Sequence, residues 1–173
     1  MSHDVHRRAR LKMMITKQEF EAKYNQMVKD FHEGRTYRSF FTFDGGNHFC
    51  WVPVQKETAF GGGFRQAIED EGFVIRRLIT YDVQASCHLS VVMPREQDKL
   101  SRKKLQNAEM KWYRHGGQVR FQITGATTYF KNGIHYAALL ARCADIFEIR
   151  EEIGLERCPP DFQIHITLGE GES

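Results

Sequence analysis

Two short segments, His88-Leu89-Ser90-Val91 and His165-Ile166-Thr167-Leu168, repeat one pattern: histidine, apolar, hydroxyl, apolar. Apolar residues stand at every second position through each: Cys87, Leu89, Val91 and Met93 in the first, Phe162, Ile164, Ile166 and Leu168 in the second. That period of two is the signature of a half-buried strand. Residues two apart in a strand share a face and lie about 7 Å apart. Each segment must therefore fold with an imidazole and a hydroxyl side by side on one face and its apolar residues in the core. The chain has eight histidines, so one such match is cheap; two, both in strand-like runs, are not.

Brought together, the two strands supply two histidines and two hydroxyl donors around one small anion. Cutting a phosphodiester needs a base for water or a ribose hydroxyl, an acid for the departing oxygen, and donors for the nonbridging oxygens as charge builds. Histidine titrates near neutrality, so one of a pair can be neutral while its twin is protonated. His88 and His165 are the expected acid and base, in an order the residues leave open, with Ser90 and Thr167 as donors. This chemistry requires no metal and no cofactor, and no Asp/Glu/His cluster in the sequence suggests one.

The rest of the chain reads as a mixed α+β domain. Thr16 and Glu19 form a capping box, with Ile15 and Phe20 at the staple positions. Phe20, Tyr24, Met27, Val28 and Phe31 then make a helical stripe that Gly34 stops. Arg38 to Phe43 and His48 to Val54 are predicted strands around the turn Asp44-Gly45-Gly46-Asn47, with Pro53 marking an edge or an end. Gly61-Gly62-Gly63 opens a short helix that Gly72 closes, and Phe73 to Tyr81 and Ser86 to Met93 follow as strands. The charged stretch Glu96 to Glu109 is expected as a solvated helix or a mobile loop, and Gly117 to Phe130 as a strand. A helix is predicted from about Ile134 to Ile153, on Leu139, Leu140, Cys143, Phe147 and Ile153, before Pro159-Pro160 and the final motif strand. Strand, helix, motif strand thus occurs twice in outline, which suggests a duplicated unit with a site between its halves.

Composition narrows the partners. A formal charge of +3 permits a nucleic-acid partner without demanding one. The four cysteines are scattered with no Cys-x-x-Cys pair, which argues against a zinc ribbon and for a reducing, cytoplasmic setting. No stretch approaches a membrane span. Residues 1–14, with His6-Arg7-Arg8-Ala9-Arg10, read as a disordered basic tail in preference to an RNA-contacting arm. Residues 15–173 are expected as one domain. Trp112 and Arg114, in the cluster Trp112-Tyr113-Arg114-His115, and Trp51, beside His48 and Phe49, are candidates to stack a base or hold a phosphate; a plain core aromatic is the competing reading. The glycine run lacks the Lys-Ser/Thr of a P-loop. Cys87 adjoins His88 but faces the other way in a strand, which discounts a Cys–His nucleophile. His32 and His135 read as surface residues on helix flanks.

The motifs resemble those of the two-histidine (2H) phosphoesterase superfamily, the group of the LigT-like proteins and the cyclic phosphodiesterases of RNA processing. The likeness rests on His88-Leu89-Ser90 and His165-Ile166-Thr167, and Phe162-Gln163-Ile164-His165-Ile166-Thr167-Leu168-Gly169 is particularly similar to that group's second motif. The Arg38-Ser39-Phe40-Phe41-Thr42-Phe43 strand is similar to one that opens many LigT-like chains, and the likeness runs roughly from Tyr37 to Gly169. The first motif carries serine, which the family tolerates. The resemblance implies a bilobal, pseudo-duplicated fold, with antiparallel sheets facing a central cleft and helices outside. It implies metal-independent hydrolysis of 2′,3′-cyclic phosphates or of phosphodiester bonds in nucleotides and short RNA. Two other readings stand beside it: a nuclease for cyclic oligonucleotide signals, as some viral members are, and an inactive RNA- or nucleotide-binding module.

Overall fold

The computed structural model describes residues 14–44, 49–75, 87–114 and 118–171. The expected basic tail, the Asp44–Asn47 turn beyond Asp44, most of the Phe73–Tyr81 strand, and His115 fall outside them. Helix α1 (Lys17–His32) begins as expected: Thr16 Oγ1 accepts from the Glu19 amide at 3.2 Å, and Glu19 answers on the Thr16 amide. Strands β1 (Tyr37–Phe40), β2 (Thr42–Asp44) and β3 (Phe49–Pro53) follow, then helices α2 (Lys56–Ala59) and α3 (Phe64–Asp70) on either side of a 3₁₀ turn at Gly61–Gly63. Next come β4 (Phe73–Ile75), the first motif strand β5 (His88–Ser90), and a 3₁₀ segment at Pro94–Lys99. Helix α4 (Arg102–Arg114), the long hairpin β6 (Gln118–Lys131) and β7 (Ile134–Arg142), helix α5 (Ala144–Glu152) and the second motif strand β8 (His165–Gly171) complete the chain.

All strand pairings are antiparallel, in the order β1-β6-β7-β8-β5-β3-β2, with β4 added to β8. The ends of that order, β1 and β2, are one stretch of chain interrupted at Phe41, so the sheet nearly closes into a barrel. Ser39 Oγ, from β1, also donates to the Pro53 carbonyl of β3. Pro53 ends its strand, one of the two positions expected of it. The two motif strands lie side by side in that order, each with a hairpin on its outer side. Motif strand β8 carries the β7–β6 hairpin on one side, and motif strand β5 carries the β3–β2 hairpin on the other.

The predicted helix from Ile134 to Ile153 is half wrong. Ile134 to Arg142 is strand β7, and only Ala144–Glu152 is helical. The missed signal is Asn132-Gly133, both at positive φ (53° and 76°), the residue pair that suits a tight hairpin turn. Ala137, Ala138, Leu139 and Leu140 have helical propensity, but pairing on both edges of β7 overrides it. The charged Glu96–Glu109 stretch is not a mobile loop: Leu105 and Ala108 bury one side of α4. His32 and His135 are not surface residues either, at 2% and 4% exposure, and burial lowers both pKa values, that of His32 to about 4 with Arg35 adding to the effect.

One face of the sheet forms the core. Cys50, Val52, Leu89, Leu139 and Ile166 are fully buried along it, together with Phe20 and Phe64 from the helices, Ile146 and Ile149 from α5 and Leu105 from α4. Fully burying each such aliphatic side chain contributes about 1.5–3 kcal/mol. Helix α1 covers the edge of β6 that β1 leaves unpaired: Asn25 Oδ1 accepts the Ala126 amide at 3.1 Å, and Thr127 Oγ1 donates to Glu21 at 2.7 Å. One strand amide on that edge is thereby satisfied. Among the described residues, no helix is long and apolar enough to cross a membrane.

Candidate active site

The two motif strands are direct neighbours, with Leu89 opposite Ile166. Antiparallel register then sets His88 opposite Thr167 and Ser90 opposite His165, all four on the face away from the core. Leu89 and Ile166 are fully buried, while the four candidate residues are partly exposed, as the period of two requires. Cross-strand Cβ pairs of this kind stand about 4.5–5.5 Å apart, and the diagonal that joins the histidines spans about 7–8 Å. Each histidine thus faces the other motif's hydroxyl across the strand gap, as well as its own motif's hydroxyl along the strand.

His165 has a defined tautomer. Its Nδ1 lies 2.8 Å from the Gln163 carbonyl, which can only accept, so Nδ1 carries the proton and Nε2 keeps its lone pair while the ring is neutral. Burial lowers the imidazole pKa from its ordinary 6.5; the Gln163 carbonyl opposes this and Lys131 adds to it. That shift favours the uncharged ring, whose basic atom is Nε2.

Tyr129 is a candidate residue that the sequence did not point to. Its hydroxyl is 2.6 Å from Thr167 Oγ1, and its ring meets the His165 ring edge-on with centroids 5.0 Å apart. It reaches Thr167 from β6 across β7, where Ala138, the residue opposite Thr167, presents only a methyl group. Tyr136 stacks on Tyr129 at 5.0 Å and 20°. The signal was present: alternation along β6 sets Thr127 and Tyr129 on one face, and the Asn-Gly hairpin brings Tyr129 opposite Tyr136.

Of the other candidates, Trp51 stands opposite Ser90 and shares the motif face, next to Thr42 on β2. Trp112 does not join it. It lies on helix α4, where its indole N–H donates to Glu152 Oε2 of α5 at 3.0 Å, a helix-to-helix contact that Lys111 shares. Arg114 ends the same helix. A pocket of about 300 Å³ is lined by Phe147, Phe162, Arg142, Thr124, Gln163 and Leu140, the last of which stands opposite His165 in the sheet. Among the described residues no three His, Cys, Asp or Glu side chains converge as metal ligands would. Burial pushes the Cys50 and Cys143 thiols up to about 12, with Glu109 and Asp145 adding respectively, so neither is a ready nucleophile.

Arg150, a fully buried residue of α5, braces the first motif from beneath. Its Nη1 donates to the Val91 carbonyl, one residue past Ser90, at 2.6 Å, and its Nε to the Glu156 carbonyl at 2.9 Å. Its guanidinium lies 4.2 Å from the centre of the Phe162 ring, three residues before His165. Glu96 closes the pair with two bonds of 2.9 and 2.6 Å. Burial alone would raise the Glu96 pKa, but the bonds from Arg150 and the Met93 amide hold it below the usual carboxylate value.

No family model, curated protein or solved structure matches this chain.

Proposed function

We propose that the chain is a metal-independent phosphodiesterase that hydrolyses 2′,3′-cyclic phosphates or phosphodiester bonds of nucleotides and short RNA. The observation that carries this reading is the reciprocal array: two histidines on one diagonal, each with a hydroxyl across from it, on the open face of two adjacent strands. His165 Nε2 takes the proton of the attacking water as its oxygen bonds to phosphorus. Protonated His88 gives its proton to the departing ribose oxygen as the P–O bond breaks, and a phosphomonoester remains. Ser90 and Thr167 donate to the nonbridging oxygens, whose charge grows in the transition state. The strand order, with a hairpin beside each motif strand, supports the bilobal, pseudo-duplicated architecture as part of the same proposal.

A second reading has one observation in its favour. Trp51 on one side of the array and the Tyr129–Tyr136 stack on the other suit a substrate with two bases flanking its phosphate, as in a cyclic oligonucleotide. A panel assayed in EDTA separates the two: nucleoside 2′,3′-cyclic phosphates, 3′,5′-linked cyclic dinucleotides, and short RNAs with cyclic ends. Turnover of the first or third supports the main reading, and turnover confined to cyclic dinucleotides supports the second. Phosphate-ester binding without any turnover leaves a binding module, and activity that vanishes on chelation and returns with Mg²⁺, Mn²⁺ or Zn²⁺ overturns the metal-independent mechanism.

A further inference from the structure

We infer that Tyr129 is a positioning residue of this site, holding Thr167 with its hydroxyl proton turned to the substrate phosphate and fixing the His165 ring from the same side. The inference rests on the phosphodiesterase reading for the identity of the anion, but on geometry for the relay. A threonine hydroxyl has one proton and can both donate and accept. The Tyr129 phenol, 2.6 Å away, is the stronger acid of the two and so donates, leaving the Thr167 oxygen as acceptor. The Thr167 proton is then free for a phosphate oxygen, and accepting the phenol's bond strengthens it as a donor. The edge-on contact of the same ring with His165 keeps the imidazole from turning about its Gln163 bond. Tyr136, stacked behind Tyr129, limits that ring's own movement.

A double-mutant cycle in the full chain decides it. Tyr129→Phe keeps the ring, its stack and its edge contact and removes only the phenol oxygen. On the best substrate of the panel it lowers kcat about 3- to 10-fold, the worth of one hydrogen bond, with KM little changed. In a Thr167→Ala background, where there is no hydroxyl to orient, the same substitution costs less than about 1.5-fold. Equal losses in both backgrounds, or a Tyr129→Phe enzyme that matches the unsubstituted chain, would overturn the inference. If the unsubstituted chain turns over nothing in the panel, the functional reading fails separately. The cycle is then read on the affinity for inorganic phosphate, followed through the His165 and Thr167 nuclear magnetic resonance signals. The same non-additivity there sustains the relay, and additive losses or no phosphate binding at all end it.

Discussion

The two motif strands have the same sequence pattern and unequal support. Strand β8 is seven residues long, is paired by β7 and β5 and extended by β4, and has Gln163 and Tyr129 holding its histidine and threonine directly. Strand β5 is three residues long, and its ends are held by backbone bonds from Val54 to Cys87 and from Val91 to Cys50, both about 3.0 Å, and by the Arg150 guanidinium beneath Val91. The second motif is thus fixed by its sheet and by side chains on its open face. The first is paired by β3 and β8 and is braced from the core side by a buried cation. A single pattern in the sequence can be stiffened by two different physical means, and the difference gives each motif its own point of failure.

The largest expected effect tests whether the motifs are chemically equal despite this. His88→Ala and His165→Ala should each lower kcat/KM by about 10²- to 10⁴-fold, the range of general acid–base help, while thermal unfolding stays within a few degrees. Steady-state kinetics beside calorimetry checks both halves. Near-normal turnover in either variant would remove that histidine from the mechanism.

Next in size is the support of the first motif. Arg150→Met leaves Glu96 as an uncompensated buried carboxylate and should destabilise the fold by about 3–5 kcal/mol. For a chain of this length that lowers Tm by about 10 °C. The double variant Glu96→Leu/Arg150→Met should recover much of that stability, because an apolar pair carries no desolvation cost. It should not recover full activity, since the Val91 carbonyl past Ser90 still lacks its donor. Denaturation and kinetics on the same two proteins separate fold from position, and full recovery of activity in the double variant would reduce Arg150 to a core residue.

The smallest effect is a shift along the pH axis. His165 as base must be unprotonated, and burial lowers its pKa from 6.5. The rising limb of kcat/KM therefore belongs below pH 6.5 and the activity conferred by the free base persists at all higher pH, until His88 loses its proton and the falling limb begins. The limbs report a coupled pair, so the test is their displacement. Assays from pH 5 to 9 with each histidine replaced in turn should show the rising limb lost with His165. A rising limb above pH 7 would exchange the two roles.

The amino-acid sequence by itself determined the repeated strands, the faces they present and the residues on those faces, because side-chain alternation is a local property of extended backbone. It also determined α1 and its capping box, through contacts three residues apart. It left the partners of each strand undetermined. Whether Ile134–Arg142 is helix or strand depends on β6 and β8 lying on either side of it, and local propensity pointed the wrong way. That Leu89 pairs with Ile166, that Trp51 joins the array while Trp112 turns to Glu152, and that Tyr129 reaches Thr167 across the methyl of Ala138 are outcomes of long-range register. Such contacts join residues 38 to 77 positions apart, and sequence periodicity has no reach over such distances; only the packed sheet selects among them.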